Sequence, residues 1–521
     1  NNYGGTAVPK SNNTLFWVGG NGNWGDPLHW SFTSGGPGGA CVPTAGDNVF
    51  FDANSGNSIA VNIDVENAYC RSMTWAGAVG TPTLTGSKDK GIHVFGSLTF
   101  VNNLRQNFQG NFYFEGANTG NIITSAGRIF NKDVYVEGSG TWALADSLSV
   151  FNTIYFNQGD FNTANQQVFA HNFLSRESRI RKLTLGGSLW TMRNREPQNY
   201  NVLDWNINPI NLSLDAGNST IDFSNQYGYM TANPTGPELK YNVVLFSGGD
   251  GTLNNSFRQK QAFDTISCVS TFWTIGSNSS NVVIMRNVNY AFQMNAQDTF
   301  TLGALIVPDL CTGMVELRSS ANGGHAFLKT TQSITVQRVM IQDINRIGLG
   351  TATANNTIDL GNNLGWTIVE ATGRDLYWVG RGGNGDWFDP VNWSLSSGGP
   401  GGECIPTAKD NVFFDANSFD GPSQRVNNPS RFAYCKNMSW TGVTNNPIFG
   451  MWVLNAFGSV DFSNETPGSY LSEISFRSLE KDRTILTRGF DAFNVFFRSE
   501  GSWILQDTLS AYYISMQSGE F

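Results

Sequence analysis

Four groups of residues in this sequence could do chemistry. The six cysteines, Cys41, Cys70, Cys268, Cys311, Cys404 and Cys435, could pair as disulfides. Two tryptophan triplets, Trp17, Trp24 and Trp30, then Trp378, Trp387 and Trp393, could stack flat ring faces on sugars. The same indoles could instead pack a core, where each large ring needs one partner for its N–H. Asp47, Asp52 and Asn54, with Asp410, Asp415 and Asn417, offer oxygen ligands of the kind calcium takes. They match no EF-hand or nonapeptide spacing, and Asp and Asn at such places commonly cap turns. Paired carboxylates could serve a polysaccharide lyase or hydrolase if Asp215 met Asp222, or Asp343 met Asp359, on one face. No motif marks those pairs. Zinc is not expected, because no Cys-x-x-Cys occurs and His29, His93, His171 and His325 are scattered. No cofactor is implied.

The tryptophans, the calcium candidates and four of the cysteines sit in a segment that occurs twice. Leu15-Phe16-Trp17-Val18-Gly19 leads through Trp24, Asp26-Pro27, Trp30 and Cys41-Val42-Pro43-Thr44 to Asp47-Asn48-Val49-Phe50-Phe51-Asp52-Ala53-Asn54. Leu376-Tyr377-Trp378-Val379-Gly380 leads through Trp387, Asp389-Pro390, Trp393 and Cys404-Ile405-Pro406-Thr407 to Asp410-Asn411-Val412-Phe413-Phe414-Asp415-Ala416-Asn417. Ala68-Tyr69-Cys70 then matches Ala433-Tyr434-Cys435, Trp75 matches Trp440, and Trp142 matches Trp503. The repeat is about 360 residues long, far beyond ordinary solenoid periods, and the second copy breaks off partway at Phe521. If each copy is self-sufficient, pairing within copies is expected: Cys41–Cys70 and Cys404–Cys435, leaving Cys268–Cys311. Each such loop would add roughly 3–4 kcal/mol in the chain-entropy account and would place the protein in an oxidising compartment.

Bulk composition excludes several classes. Net charge is −9 with a pI near 5.0, and only 14% of residues are charged. Nucleic acid and anionic membranes call for a basic face, so neither is an expected partner. No apolar run approaches the length of a membrane span, and no basic-then-apolar leader opens the chain; direct membrane insertion is not expected. With 40% hydrophobic and 13% aromatic residues, the chain can bury a large core and is not disordered.

Short alternating runs such as Phe112-Tyr113-Phe114, Val134-Tyr135-Val136 and Thr153-Ile154-Tyr155-Phe156 recur between Gly, Asn and Ser turns, with little helical periodicity. Sandwiches would show hairpins and linkers. Coils of 20–30 residues with no linker instead predict an all-β chain of parallel β-helix (β-solenoid) units. Each unit is preceded by a Trp/Cys-rich segment that caps an open sheet edge. The expected organisation is an N-terminal extension at 1–13 and a Trp/Cys-rich cap at 14–90. A β-solenoid at 91–370, a second cap at 371–448 and the start of a second β-solenoid at 449–521 follow.

The repeated pattern Trp-Val-Gly-Gly, Asn-Gly-Asn-Trp, Asp-Pro, Trp, Cys-x-Pro-Thr, Asp-Asn-Val-Phe-Phe-Asp-Ala-Asn resembles long secreted surface proteins of gliding Bacteroidetes. Among these it is most similar to the SprB-type mobile surface adhesins exported by type IX secretion. Gly361-Asn362-Asn363-Leu364-Gly365-Trp366 resembles the ending of such units. The resemblance implies an extracellular, cell-surface adhesin with no catalytic residues. It implies attachment to the secretion and gliding machinery through regions beyond Phe521, and contact with substratum or polysaccharide. Asp146-Ser147-Leu148, Asp264-Thr265-Ile266 and Asp507-Thr508-Leu509 resemble the O-glycosylation sites of exported Bacteroidetes proteins, which makes Ser147, Thr265 and Thr508 candidates. The expected function is therefore adhesion, with units strung end to end. A carbohydrate-binding module or a β-helical lyase or hydrolase is the alternative.

Overall fold

The computed structural model describes residues 12–193, 204–255, 259–308, 310–380, 385–462 and 470–521, without the side chains of 429–431. Among them the regular structure is β-strand, relieved by single 3-10 turns at Pro27–His29, Ala53–Ser55 and Pro390–Asn392. The chain forms two compact units, residues 1–266 and 267–521. Both are parallel β-solenoid, as the strand pattern predicts.

In the first unit the chain winds through three sheets per coil. Strands Asn111–Phe114, Asn121–Thr124 and Ile129–Phe130 belong to three different sheets. The chain then returns to the first of these sheets at Val134–Val136, with Phe112 beside Val134 and Phe114 beside Val136. One face of each strand points inward, so period-two alternation places Phe112, Phe114, Val134, Val136, Ile154 and Phe156 in the core. β-branched and aromatic side chains suit these stacked, half-buried rungs. At one corner successive turns touch: a Cβ on Gly138 would lie 2.2 Å from the carbonyl oxygen of Gly116, and one on Gly159 would lie 2.2 Å from that of Gly138. Glycine is required there by the approach of backbone to backbone.

The Trp/Cys-rich segment is the beginning of this ladder. Thr14–Trp17 pairs in parallel with Asn48–Phe50, which pairs with Met73–Thr74, which pairs with Leu98–Thr99. On its outer side Thr14–Trp17 is covered by the antiparallel strand Trp30–Ser31. That strand closes the edge that a parallel stack would leave open to pairing. The second copy repeats the device with Asp375–Trp378, Trp393–Ser394 and Asn411–Phe413.

In the second unit the strands of residues 267–370 and those of the second copy belong to separate sheets. Thr367–Glu370 pairs with Ala352–Asp359, whereas Asp375–Trp378 begins a new sheet. The main-chain ladder therefore does not run through the join, contrary to an end-to-end continuation of one stack.

The cysteine pairing corrects the expectation from the repeat. Cys311 is bonded to Cys404, across 93 residues of sequence, while Cys41, Cys70 and Cys435 are free thiols and Cys268 is buried and not bonded to Cys311. Neither Cys41–Cys70, Cys404–Cys435 nor Cys268–Cys311 forms. The reason is strand alternation: Cys70 and Cys435 end strands on inward positions and are fully buried, whereas Cys41 lies exposed in a loop. Burial pushes both inward thiols well above the ordinary cysteine range, and they act as small core hydrophobes.

Candidate functional site

The tryptophan triplets are core. Trp17, Trp24, Trp30, Trp378, Trp387 and Trp393 are each at most 1% exposed, so none offers a ring face to a sugar. They build the same cluster twice. Trp24 meets Trp30 edge-on at 4.9 Å, and Trp387 meets Trp393 at 4.8 Å. Phe51 stacks on Trp75 at 3.8 Å, and Phe414 stacks on Trp440 at 3.8 Å. The Trp30 Nε1–H donates to the Trp24 carbonyl, and that of Trp393 to the Trp387 carbonyl. The Nε1–H groups of Trp24 and Trp387 are buried without an acceptor.

The carboxylates proposed for calcium are committed to protein donors. Asp47 accepts from the backbone N–H of Asn13 and Thr44 and from the Thr44 hydroxyl. Asp410 accepts from the N–H and hydroxyl of Thr407 and from Arg374. Asp52 and Asp415 cap short turns, accepting from the backbone N–H of Asn54 and Asn417. Among the described residues no three His, Cys, Asp or Glu side chains converge as metal ligands.

The acidic pairs are engaged by protein donors. Asp215 ends strand Leu212–Asp215 in one sheet, while Asp222 lies in Thr220–Phe223 of another and accepts from the Ser247 hydroxyl. Asp343 accepts from the Asn362 side chain and Asp359 from the Asn363 side chain. The Gly-Asn-Asn stretch at 361–363 is thus a brace for neighbouring turns. His325 completes it through Asn362 Oδ1 at 2.7 Å.

The Asp-Ser/Thr-Leu tripeptides are also braces. Asp146 accepts from the backbone N–H of Ser125 and Ala126 in the preceding coil, where Ala126 has φ 51°. Asp507 accepts in the same way from Thr487 and Arg488, where Arg488 has φ 49°. Partial desolvation opposes the charge of Asp507, but these donors outweigh it and hold the carboxyl below its ordinary value. Thr508 is exposed, Ser147 and Thr265 are partly so, and the Thr265 hydroxyl donates to Asp264. Asp146→Ala is expected to cost about 1–3 kcal/mol, the penalty for orphaning buried backbone donors, seen as a lower urea midpoint. Ser147→Ala should be nearly neutral, because Ser125 donates to the Ser147 backbone carbonyl rather than to its side chain.

Two arrangements were not anticipated. The first is the seam in the second unit. Alongside the Cys311–Cys404 bond, Met314, Met340, Ile358 and Leu360 pack against Ala408, Tyr434 and Phe457 of the second copy. Beside them Arg477 donates to Glu316 at 2.6 Å and to Gln342, both partners being nearly inaccessible to water. Burial works against the Glu316 charge, but Arg477 and then Arg318 overcome it and hold the carboxyl below its ordinary range. The Arg477 guanidinium also lies over the Phe457 ring at 5.4 Å.

The second is an aromatic ladder on the first unit. Tyr69, His93, Tyr113, Tyr135 and Tyr155 occupy matched outward positions on successive coils. Their rings stack at 4.8, 4.3, 4.7 and 4.5 Å. His93 Nδ1 lies 2.8 Å from Glu115 and its Nε2 lies 2.9 Å from the Asn67 side chain. Glu137 stands one coil above Glu115; burial, then the Glu115 charge, raises its pKa. A sequence signal for the ladder existed: each of the five is the outward residue between two apolar inward ones, as in Ile92-His93-Val94 and Val134-Tyr135-Val136.

Comparison with protein-family models, curated proteins and solved structures finds no match to this chain. Functional inference therefore rests on the chain itself.

Proposed function

We propose that this chain is part of a long, repetitive, non-enzymatic cell-surface adhesin that works outside the cytoplasm and serves attachment to substratum or polysaccharide, with gliding motility as its setting. The observation that carries this reading is the seam, where a disulfide, a buried ion pair and an apolar cluster lock the second copy onto preceding coils. Such a join transmits load between repeats without a continuous main-chain ladder. A disulfide also suits an oxidising compartment. Asp215 accepts from the Gly217 N–H, Asp222 from Ser247, Asp343 from Asn362 and Asp359 from Asn363, and these commitments weigh against the lyase or hydrolase alternative. Many weak contacts along one fibre would add through avidity.

The test is detachment force. Beads coated with the chain should hold to glass or to acidic polysaccharide films, and Cys311→Ser should lower the force at which they let go. Sustained release of oligosaccharides from the same films would replace this reading with an enzymatic one. Absence of adhesion to every surface would end it.

A further inference from the structure

The ladder face of the first copy and the seam face of the second are the same surface by repeat position. Tyr69 corresponds to Tyr434 through the shared Ala-Tyr-Cys, and the strand registers then align His93 with Asn455, Tyr113 with Ser475 and Tyr135 with Phe496. In the second copy this face is occupied: Tyr434, Asn455 and Ser475 are at most 4% exposed. In the first copy it is open, with Tyr69 39% exposed and the other four rings half-buried. Cys41, the counterpart of the bonded Cys404, is likewise exposed.

The charge on the two faces is reversed. Two residues past Tyr113 and Tyr135 the first copy carries Glu115 and Glu137, and two past Ser475 and Phe496 the second copy carries Arg477 and Arg498. Arg477 meets Glu316 in the seam and Arg498 pairs with Glu473 at 3.0 Å. A surface bearing Glu115 and Glu137 could not take a partner with glutamate in the place of Glu316, because like charges would be desolvated together. It could take the complement.

We propose that the Tyr69–Tyr155 face is a docking surface for a protein β-sheet face that presents arginine or lysine where the seam presents Glu316. The geometry suits such a partner. Stacked rings are fixed in place before binding, so little side-chain freedom remains to be lost, and tyrosine is a favoured interface anchor. His93 holds Glu115 in place, with Nδ1 2.8 Å from its carboxylate, and Asn157 donates to Glu137 at 3.2 Å. Arg179 is the nearby cation acting on Glu137, and its hydrogen bond goes to Gln158. The inference concerns the class of partner and holds whether or not the chain serves adhesion.

A synthetic peptide of alternating arginine and valine, which presents its guanidinium groups on one side of an extended strand, is the probe; one of alternating glutamate and valine is the control. Binding to the full chain is followed by calorimetry. The arginine peptide should bind saturably, one per chain, and Glu115→Gln with Glu137→Gln should weaken it at least tenfold. Asp420→Asn with Glu238→Gln removes the same charge from exposed positions elsewhere and should leave affinity within twofold. The proposal is overturned by non-saturable binding, by no binding, by equal loss in both variants, or by equal binding of the glutamate peptide. Self-association of the chain that is lost in the Glu115/Glu137 variant would also overturn it, by making a second copy the occupant.

Discussion

Arg477→Ala should lower the stability of the second unit by about 3–5 kcal/mol, the usual cost of stranding one member of a buried ion pair. The guanidinium is the group closest to Glu316, and both side chains are almost wholly buried. Removing it leaves a buried carboxylate with only Arg318, at 3.7 Å, and the charge of Arg498 to compensate it. The pH dependence follows from the sign of the shift. In the intact protein the folded Glu316 pKa is depressed. Its contribution is therefore complete above the unfolded carboxyl value, about 4.3, and is lost as pH falls through the folded one. In the variant the buried, less compensated carboxyl is pushed the other way and is relieved by protonation. The gap between the two proteins, read from denaturant midpoints, should be widest near neutrality and narrow in acid. Arg477→Met with Glu316→Leu should recover most of the loss, since an apolar pair of similar volume suits the Met314, Met340 and Phe457 surroundings.

Trp30→Ala and Trp393→Ala should each cost about 3–5 kcal/mol. Each indole is fully buried, meets two or more other rings, and makes the hydrogen bond that satisfies a buried carbonyl. Each also belongs to the antiparallel strand that covers the open sheet edge. Loss should therefore appear both as a lower midpoint and as self-association through the uncovered edge, measured by light scattering. Trp24→Phe and Trp387→Phe provide the contrast. Their N–H groups have no acceptor, so replacement loses no hydrogen bond, and its cost, confined to the ring volume removed, should fall below the roughly 3–5 kcal/mol of the alanine variants.

The solenoid was legible because its coils are written locally: strands of three or four residues, alternation such as Val134-Tyr135-Val136, and Gly or Asn at corners. The turn-capping bonds that Asp47 and Asp410 accept from Thr44 and Thr407, and those of Asp52 and Asp415, were legible for the same reason, being set within a few residues of each aspartate; the bonds from Asn13 and Arg374 were not. What was not legible depends on register or on contact between coils far apart in sequence. Repeat logic treated each copy as closed and paired Cys404 with Cys435, yet strand alternation turns Cys435 inward while Cys404 faces the seam. The ladder from Tyr69 to Tyr155 lies at unequal spacings, so only strand register reveals that its rings coincide. The exchange of Glu115 for Arg477 gains meaning only once Glu316 is known to lie opposite.

The seam is the centre of this account, and non-reducing peptide mapping tests it most directly. The chain would be denatured, alkylated and digested without reductant. The account predicts a cross-linked pair of peptides carrying Cys311 and Cys404, with Cys41, Cys70 and Cys435 all alkylated. Recovery of Cys404 linked to Cys435, or of Cys41 linked to Cys70, would show each copy closed on itself and would contradict it.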